Sequence, residues 1–122
     1  MAEFIIKDSG QRQEFTGGMV RDVTTGKTQY LRVLDGPMFE RWAIHLTKGA
    51  VKYPDVRPGV ANWTLAAGVP EYERFRESAT RHFIAWLRGD RDEDHASACY
   101  FNINGAEFVR EGLENQGRKE SL

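Results

Sequence analysis

Asp90, Asp92, Glu93 and Asp94 crowd five positions of the chain, with Arg81, His82 and His95 close by. Hard divalent cations take carboxylate oxygens, and Mg²⁺ is usually held by one or two carboxylates together with substrate phosphates. Glu73 and Glu77, four apart on one helix, could join Asp92 and Asp94 at the mouth of the next helix to hold Mg²⁺ or Mn²⁺. Such an ion would neutralise phosphate charge and help produce an attacking hydroxide, with Glu93 or His95 orienting the water. Structural roles claim part of the same cluster. Asp92 or Asp94 can cap the following helix, and acids in a first turn are favoured by the helix dipole. Glu73, Glu77 and Arg81 read equally as an exposed ladder worth about 0.2–0.5 kcal/mol per pair. Because Ser78, His82 and Trp86 share the adjacent stripe, Glu77 and His82 border the apolar seam, a position that suits a metal ligand or a general base.

Other chemistries find less support. A Ser-His-Asp hydrolase needs a strand-to-helix Gly-x-Ser-x-Gly turn, which is absent, and Ser78 lies in mid-helix. A phosphate loop needs glycine five residues before its Gly-Lys pair, but Arg21 stands five residues before Gly26. Arg21 and Lys27 can still meet a phosphate as point charges, or remain solvated loop cations. Trp63, in a long connection beside Asn62, either plugs the edge of the core or stacks on a ligand base. Cys99, the single cysteine, allows no internal disulfide and no multi-cysteine zinc site, and reads as a small core residue in a reducing cytoplasm.

The elements that must position these residues are helical. A chain of 122 residues suits one domain with a single core. The ordered part is expected over residues 16–113. With 17 basic and 18 acidic residues, net charge −1, the chain lacks the signature of a nucleic-acid-coating protein. No stretch approaches the roughly 20 apolar residues of a membrane span, and the start lacks the basic segment of a signal peptide. Residues 2–8 suggest a short extended arm through Phe4, Ile5 and Ile6, and residues 9–27 read as loop.

Asp35-Gly36-Pro37 opens a helix to about residue 48, with Phe39, Trp42, Ala43 and Leu46 as its buried stripe and Glu40, Arg41 and His45 on the far side. Tyr53-Pro54 ends it firmly. After a long connection, Pro70 begins a second helix, on which Tyr72, Phe75, Ala79, Phe83 and Trp86 keep helical rhythm until Gly89. A third runs over 93–113, with His95, Ala98 or Cys99, Asn102 and Ala106 on one small-residue face that permits close approach of another helix. Gly105 in mid-helix costs about 1 kcal/mol relative to alanine, so close packing is expected there. The core is predicted around Trp42, Phe75, Phe83, Trp86, Tyr100 and Ile103, and residues 114–122 as a disordered tail. The fold class is therefore all-α or mainly α: three main helices with long irregular connections.

Short motifs in this order resemble a known family. Gly18-Met19-Val20-Arg21-Asp22, Gly26-Lys27, Lys48 to Tyr53, Asn62-Trp63, Arg81-His82, Gly89 to His95 and Asn102 are similar to the phage-associated dATP/dGTP diphosphohydrolase N-terminal domain family. That family in turn resembles the all-α, MazG-like nucleoside triphosphate pyrophosphohydrolases, which use Mg²⁺ to split a nucleotide between its α and β phosphates. The resemblance implies a nucleotide-handling phage or prophage protein that assembles as a homo-oligomer through its helices.

The MazG-like pattern of Glu-x-x-Glu and Glu-x-x-Asp pairs is not kept. Glu73 and Glu77 are one residue too widely spaced, and Cys99 to Asn102 stands where a later acid pair is expected. Two readings therefore remain: a metal-dependent nucleotide pyrophosphohydrolase, and a non-catalytic nucleotide binder such as a phage sponge for a host signalling nucleotide. A third treats the acidic turn as a contact surface of a host-interaction protein. On either nucleotide reading, Arg21, Lys27, Lys48, Lys52 and Arg81 are the candidates for phosphate. Asn62, Trp63, His82 and Asn102 are the candidates for base and sugar.

Overall fold

The computed structural model describes residues 3–121, with side chains described as far as Gly117. The chain divides into two compact units, residues 1–32 and 33–122. In the first, β1 (Arg12–Glu14) and β2 (Val20–Asp22) form an antiparallel hairpin, with Arg12 opposite Asp22 and Glu14 opposite Val20. The loop expected over 9–27 thus contains a ladder. Its strands bury no apolar face, so no alternating pattern announces it. Polar bonds fix it instead: Asp8 holds Arg12 at 2.7 Å, and Asp22 accepts from the Ser9 amide and hydroxyl. The expected arm at Phe4 to Ile6 forms no strand and is fully exposed, while Ala2 lies outside the described residues.

The second unit holds α1 (Met38–Lys52), α2 (Val69–Leu87) and α3 (His95–Ser121), the mainly α architecture the periodicity predicts. Helix α1 passes through Gly49 and stops at Tyr53, whose backbone leaves the helical region, as is favoured before proline. Helix α2 starts where the Glu71 carboxylate accepts from the amides of Ala67 and Gly68, at 3.0 and 2.8 Å. It ends in a Schellman motif, in which Gly89 N–H donates to Trp86 and Asp90 N–H to Ala85, each at 3.0 Å. Gly89 makes that turn at φ +80°. Helix α3 continues through Ser121 where sequence suggests a disordered tail; no proline interrupts it, and Arg110 pairs with Glu107 and Glu114 along its surface. Leu122 lies outside the described residues.

The core differs from expectation. Helices α2 and α3 meet along Ala79 and Ala85 on one side and Ser97, Ala98, Ala106 and Val109 on the other, with α1 packed against α3. The small-residue face of α3 is where the sequence places it. The large residues are not: Phe83 is 48% exposed, Trp86 53%, Tyr100 48% and Ile103 51%, while Trp42 and Phe75 are half-buried. Small side chains let the helix axes close up, and bulky neighbours are pushed to the flanks of the seam.

Helix α1 is rotated from the expected stripe. Arg41, Trp42, His45, Leu46 and Gly49 turn inward, and Phe39 and Ala43 outward. Gly105 is a close-packing position inside the chain: a Cβ there would lie 2.6–2.8 Å from the Phe75 ring.

Gly105→Ala should therefore destabilise by about 1–3 kcal/mol through overpacking, despite alanine's better helix propensity. Adding Phe75→Leu should recover most of the loss. Urea unfolding of the two single variants and the double variant measures the coupling, and a stabilised Gly105→Ala protein would contradict this packing.

Candidate functional site

A cavity of about 1250 Å³ opens between α1, α2, α3 and the short 3₁₀ turn Asn62–Leu65. That volume exceeds what a nucleotide needs, since ligand pockets run to about 300–1000 Å³. Three kinds of wall surround it. Lys48 and Lys52, one helical turn apart on α1, and Arg74 on α2 supply cations. Trp63, Phe75 and Phe101 supply aromatic faces, and His45, His82, Glu93 and Asn102 supply polar groups.

Local sequence explains how each wall is held. The 3₁₀ turn is closed by the Thr64 hydroxyl on the Ala61 carbonyl at 2.6 Å. Trp63 meets Phe101 and Phe108 edge-on, with centroids 6.0 and 5.2 Å apart. It therefore braces the turn against α3 and also lines the cavity. Asn102 is buried, and its amide donates to the Ala98 carbonyl at 2.8 Å. His45 leans on Phe101 at 5.4 Å, and its pKa is lowered by burial, against the opposing pull of Asp94.

The acidic turn divides its labour. Asp94 accepts the Arg41 guanidinium in a two-pronged pair, at 2.9 and 2.5 Å, and caps α3 through the Ser97 amide and hydroxyl, each at 3.0 Å. The Arg41 bonds hold its carboxyl well below the usual carboxylate range, with Ser97 adding to the effect. Asp92 accepts from His95 Nε2 at 2.8 Å, which lowers its pKa. Asp90 pairs with Arg88. His95 is buried, and its Nδ1 lies 2.9 Å from Nδ1 of His82 across the α2–α3 seam.

Of the residues the sequence proposes, Lys48, Lys52, Asn62, Trp63, His82, Glu93 and Asn102 come together around the cavity, and His95 sits behind His82. The four carboxylates proposed for Mg²⁺ do not form one cage. Glu73 pairs with Arg76 and Glu77 with Arg81, each at 3.2 Å, and these two acids line a separate groove with Arg81. Asp92 and Asp94 are engaged by His95 and Arg41. The physical reason is helical phase: Glu73 and Glu77 lie outside the inward stripe of Ser78 and His82. Arg21, on β2, and Lys27 belong to the first unit. Sequence reasoning missed His45, Arg41, Arg74 and Phe101. Arg41 and His45 are spaced i, i+4 and share one face, but the sequence assigned that face to solvent, whereas both are part-buried.

A sequence model of the dATP/dGTP diphosphohydrolase N-terminal family matches residues 19–109. The chain belongs to that family. No curated protein and no solved structure matches it. The family is one of nucleotide hydrolases, and its match spans the hairpin strand β2, the whole cavity and the acidic turn.

Asp94→Ala removes both a cap and the partner of Arg41, and should cost about 1–2 kcal/mol near neutral pH. The folded carboxyl titrates below its unfolded value of 3.8, so its contribution is complete above that value and lost as pH falls through the lower folded one. Melting curves of wild type and variant should therefore stay apart from pH 7 down to about 5 and draw together below about 4.

Proposed function

We propose that the protein hydrolyses a purine deoxynucleoside triphosphate to the monophosphate and pyrophosphate, with the nucleotide seated in the cavity of the second unit. The observation that carries this reading is the family match over a cavity lined by both cations and aromatic faces. Lys48, Lys52 and Arg74 hold the phosphates by charge-assisted bonds. Trp63 and Phe101 receive the base, and Asn102 also lines the cavity. His45, whose charged form burial disfavours, suits a proton acceptor for the attacking water. Water adds to the α phosphorus, the bond to the bridging oxygen breaks, and pyrophosphate leaves towards the lysines. Glu73, Glu77, Asp92 and Asp94, each engaged by its own partner, do not fit a shared Mg²⁺.

One observation favours the second reading, a binder without turnover: the carboxylates expected to hold the catalytic cation are tied up in ion pairs. The reading also carries a homo-oligomer, supported by Phe83, Ile84, Trp86 and Leu87 of α2, all about half exposed. With Gly105 already filled by Phe75, that surface rather than the glycine is the contact. Among the described residues no helix is long and apolar enough to cross a membrane, and the activity proposed belongs in a cytoplasm, that of the host for a phage-encoded chain.

Incubation with a panel of nucleotides and Mg²⁺ or Mn²⁺, with products separated by ion exchange, tests the reading. Deoxynucleoside monophosphate and pyrophosphate are expected. Unmodified ligand retained on the protein would favour the binder, and neither result would exclude both. Lys52→Ala should weaken triphosphate binding by about tenfold, or 1.4 kcal/mol, and leave nucleoside binding unchanged in calorimetric titration. Light scattering should give a mass above that of one chain.

A further inference from the structure

We propose that His82, Glu93 and His95 form a two-histidine, one-carboxylate seat for a first-row transition-metal dication, at the wall of the cavity. The inference stands on geometry and holds whether or not the nucleotide reading does. Ligand atoms of the three residues lie within 4.8 Å of one another. Two imidazole nitrogens each bound at about 2.1 Å to one ion sit about 3.0 Å apart at a right angle and about 3.4 Å apart at a tetrahedral one. The Nδ1 atoms of His82 and His95 are 2.9 Å apart. Glu93 is exposed on the turn that precedes α3, and its carboxylate oxygen belongs to that same 4.8 Å set.

A second observation points the same way. His95 Nε2 is 2.8 Å from Asp92 Oδ1. A carboxylate can only accept, so the neutral ring carries its proton on Nε2 and turns the Nδ1 lone pair towards His82. A carboxylate behind a ligating histidine, fixing tautomer and ring orientation, is the usual outer shell of such sites. In the free protein a proton on His82 Nδ1 bridges the two rings. On binding, the ion takes its place, and His82 shifts to the tautomer protonated at Nε2.

The donor set selects the ion. Imidazole suits Fe²⁺, Ni²⁺, Cu²⁺ and Zn²⁺, for which Co²⁺ is a spectroscopic stand-in, whereas Mg²⁺ keeps to oxygen ligands. Three protein ligands leave open positions, and the cavity with its lysines and Arg74 adjoins them. Water or a phosphate oxygen is therefore the ligand class that completes the sphere.

Co²⁺ alone, titrated into chelator-treated protein, is the test. One equivalent per chain should bind with visible d–d absorption. The proton NMR spectrum should show two sets of shifted imidazole signals, one with a slowly exchanging N–H belonging to His95 on Asp92. Zn²⁺ should displace Co²⁺, and Mg²⁺ at the same concentration should not. His82→Gln and Glu93→Gln should each lower Co²⁺ affinity at least tenfold, and Asp92→Asn, which does not touch the ion, by about 10–100-fold. Because His82 lies in the helix seam, the shifted imidazole signals of the unaltered protein decide the matter if that variant unfolds. Absence of Co²⁺ binding, spectra without imidazole signals, displacement by equimolar Mg²⁺, or unchanged affinity in a folded Glu93→Gln protein would each overturn the proposal.

Discussion

The close approach of α2 and α3 is the constraint on which the rest of the second unit depends. Alanines on both helices, with Ser97 and Gly105, remove the side-chain volume that would keep the backbones apart. Two consequences follow from one separation. Phe75 can lay its ring over Gly105 and form part of the cavity floor, and His82 can reach His95 across the seam. A larger residue at either alanine row would push the helices apart and carry the two imidazoles, now 2.9 Å apart, towards the roughly 3.6 Å at which a contact is no longer a hydrogen bond. The polar pair and the apolar seam are thus one device.

The acidic turn is the second device, and it depends on the first. Schellman closure at Gly89 reverses the chain at once after α2, so the next five residues must lie beside the helix ends. Asp94 then serves two elements: it starts α3 by capping Ser97 and anchors α1 through Arg41. Asp92 reaches back to His95. Only Glu93 among the last three acids remains pointed at the cavity, with its ligand atom near both imidazoles. Proximity in sequence gave these acids a common appearance, and the fold gives them different work.

What sequence revealed followed from which signals are local. Proline at 37, 54 and 70 and glycine at 89 act on their own backbone, so the ends of α1 and α2 and the start of α3 were legible to within a few residues, whereas α3, with no such signal, runs on past residue 113 to Ser121. Burial is decided by which faces meet, and aromatic periodicity pointed to Phe83 and Trp86 although the helices meet through alanines one stripe away. Alanine carries little hydrophobic signal, so a seam built from it hides in the pattern. The same rotation hid His45 and Arg41, which look solvated beside Glu40. The hairpin was hidden because its ladder is held by Asp8, Asp22 and Ser9 rather than by buried alternation. Of the candidate site, the cavity residues Lys48, Lys52, Asn62, Trp63, His82, Glu93 and Asn102 were legible as motifs, but their division of roles was not.

The spacing of Glu73 and Glu77 shows why roles needed the fold. Each acid has an arginine three or four residues on, Arg76 and Arg81, at the reach that favours ion pairing along one helix surface. Such pairs satisfy the carboxylates locally and remove the reason for them to face a shared ion. At His82, by contrast, no acid of α2 is an ion-pair partner; what faces it is a residue of another helix, His95, oriented by an acid of the turn. A ligand set that spans two helices and a turn is fixed by packing rather than by sequence interval. In this chain the side chains best placed to share an ion are therefore the ones whose spacing along the sequence says least.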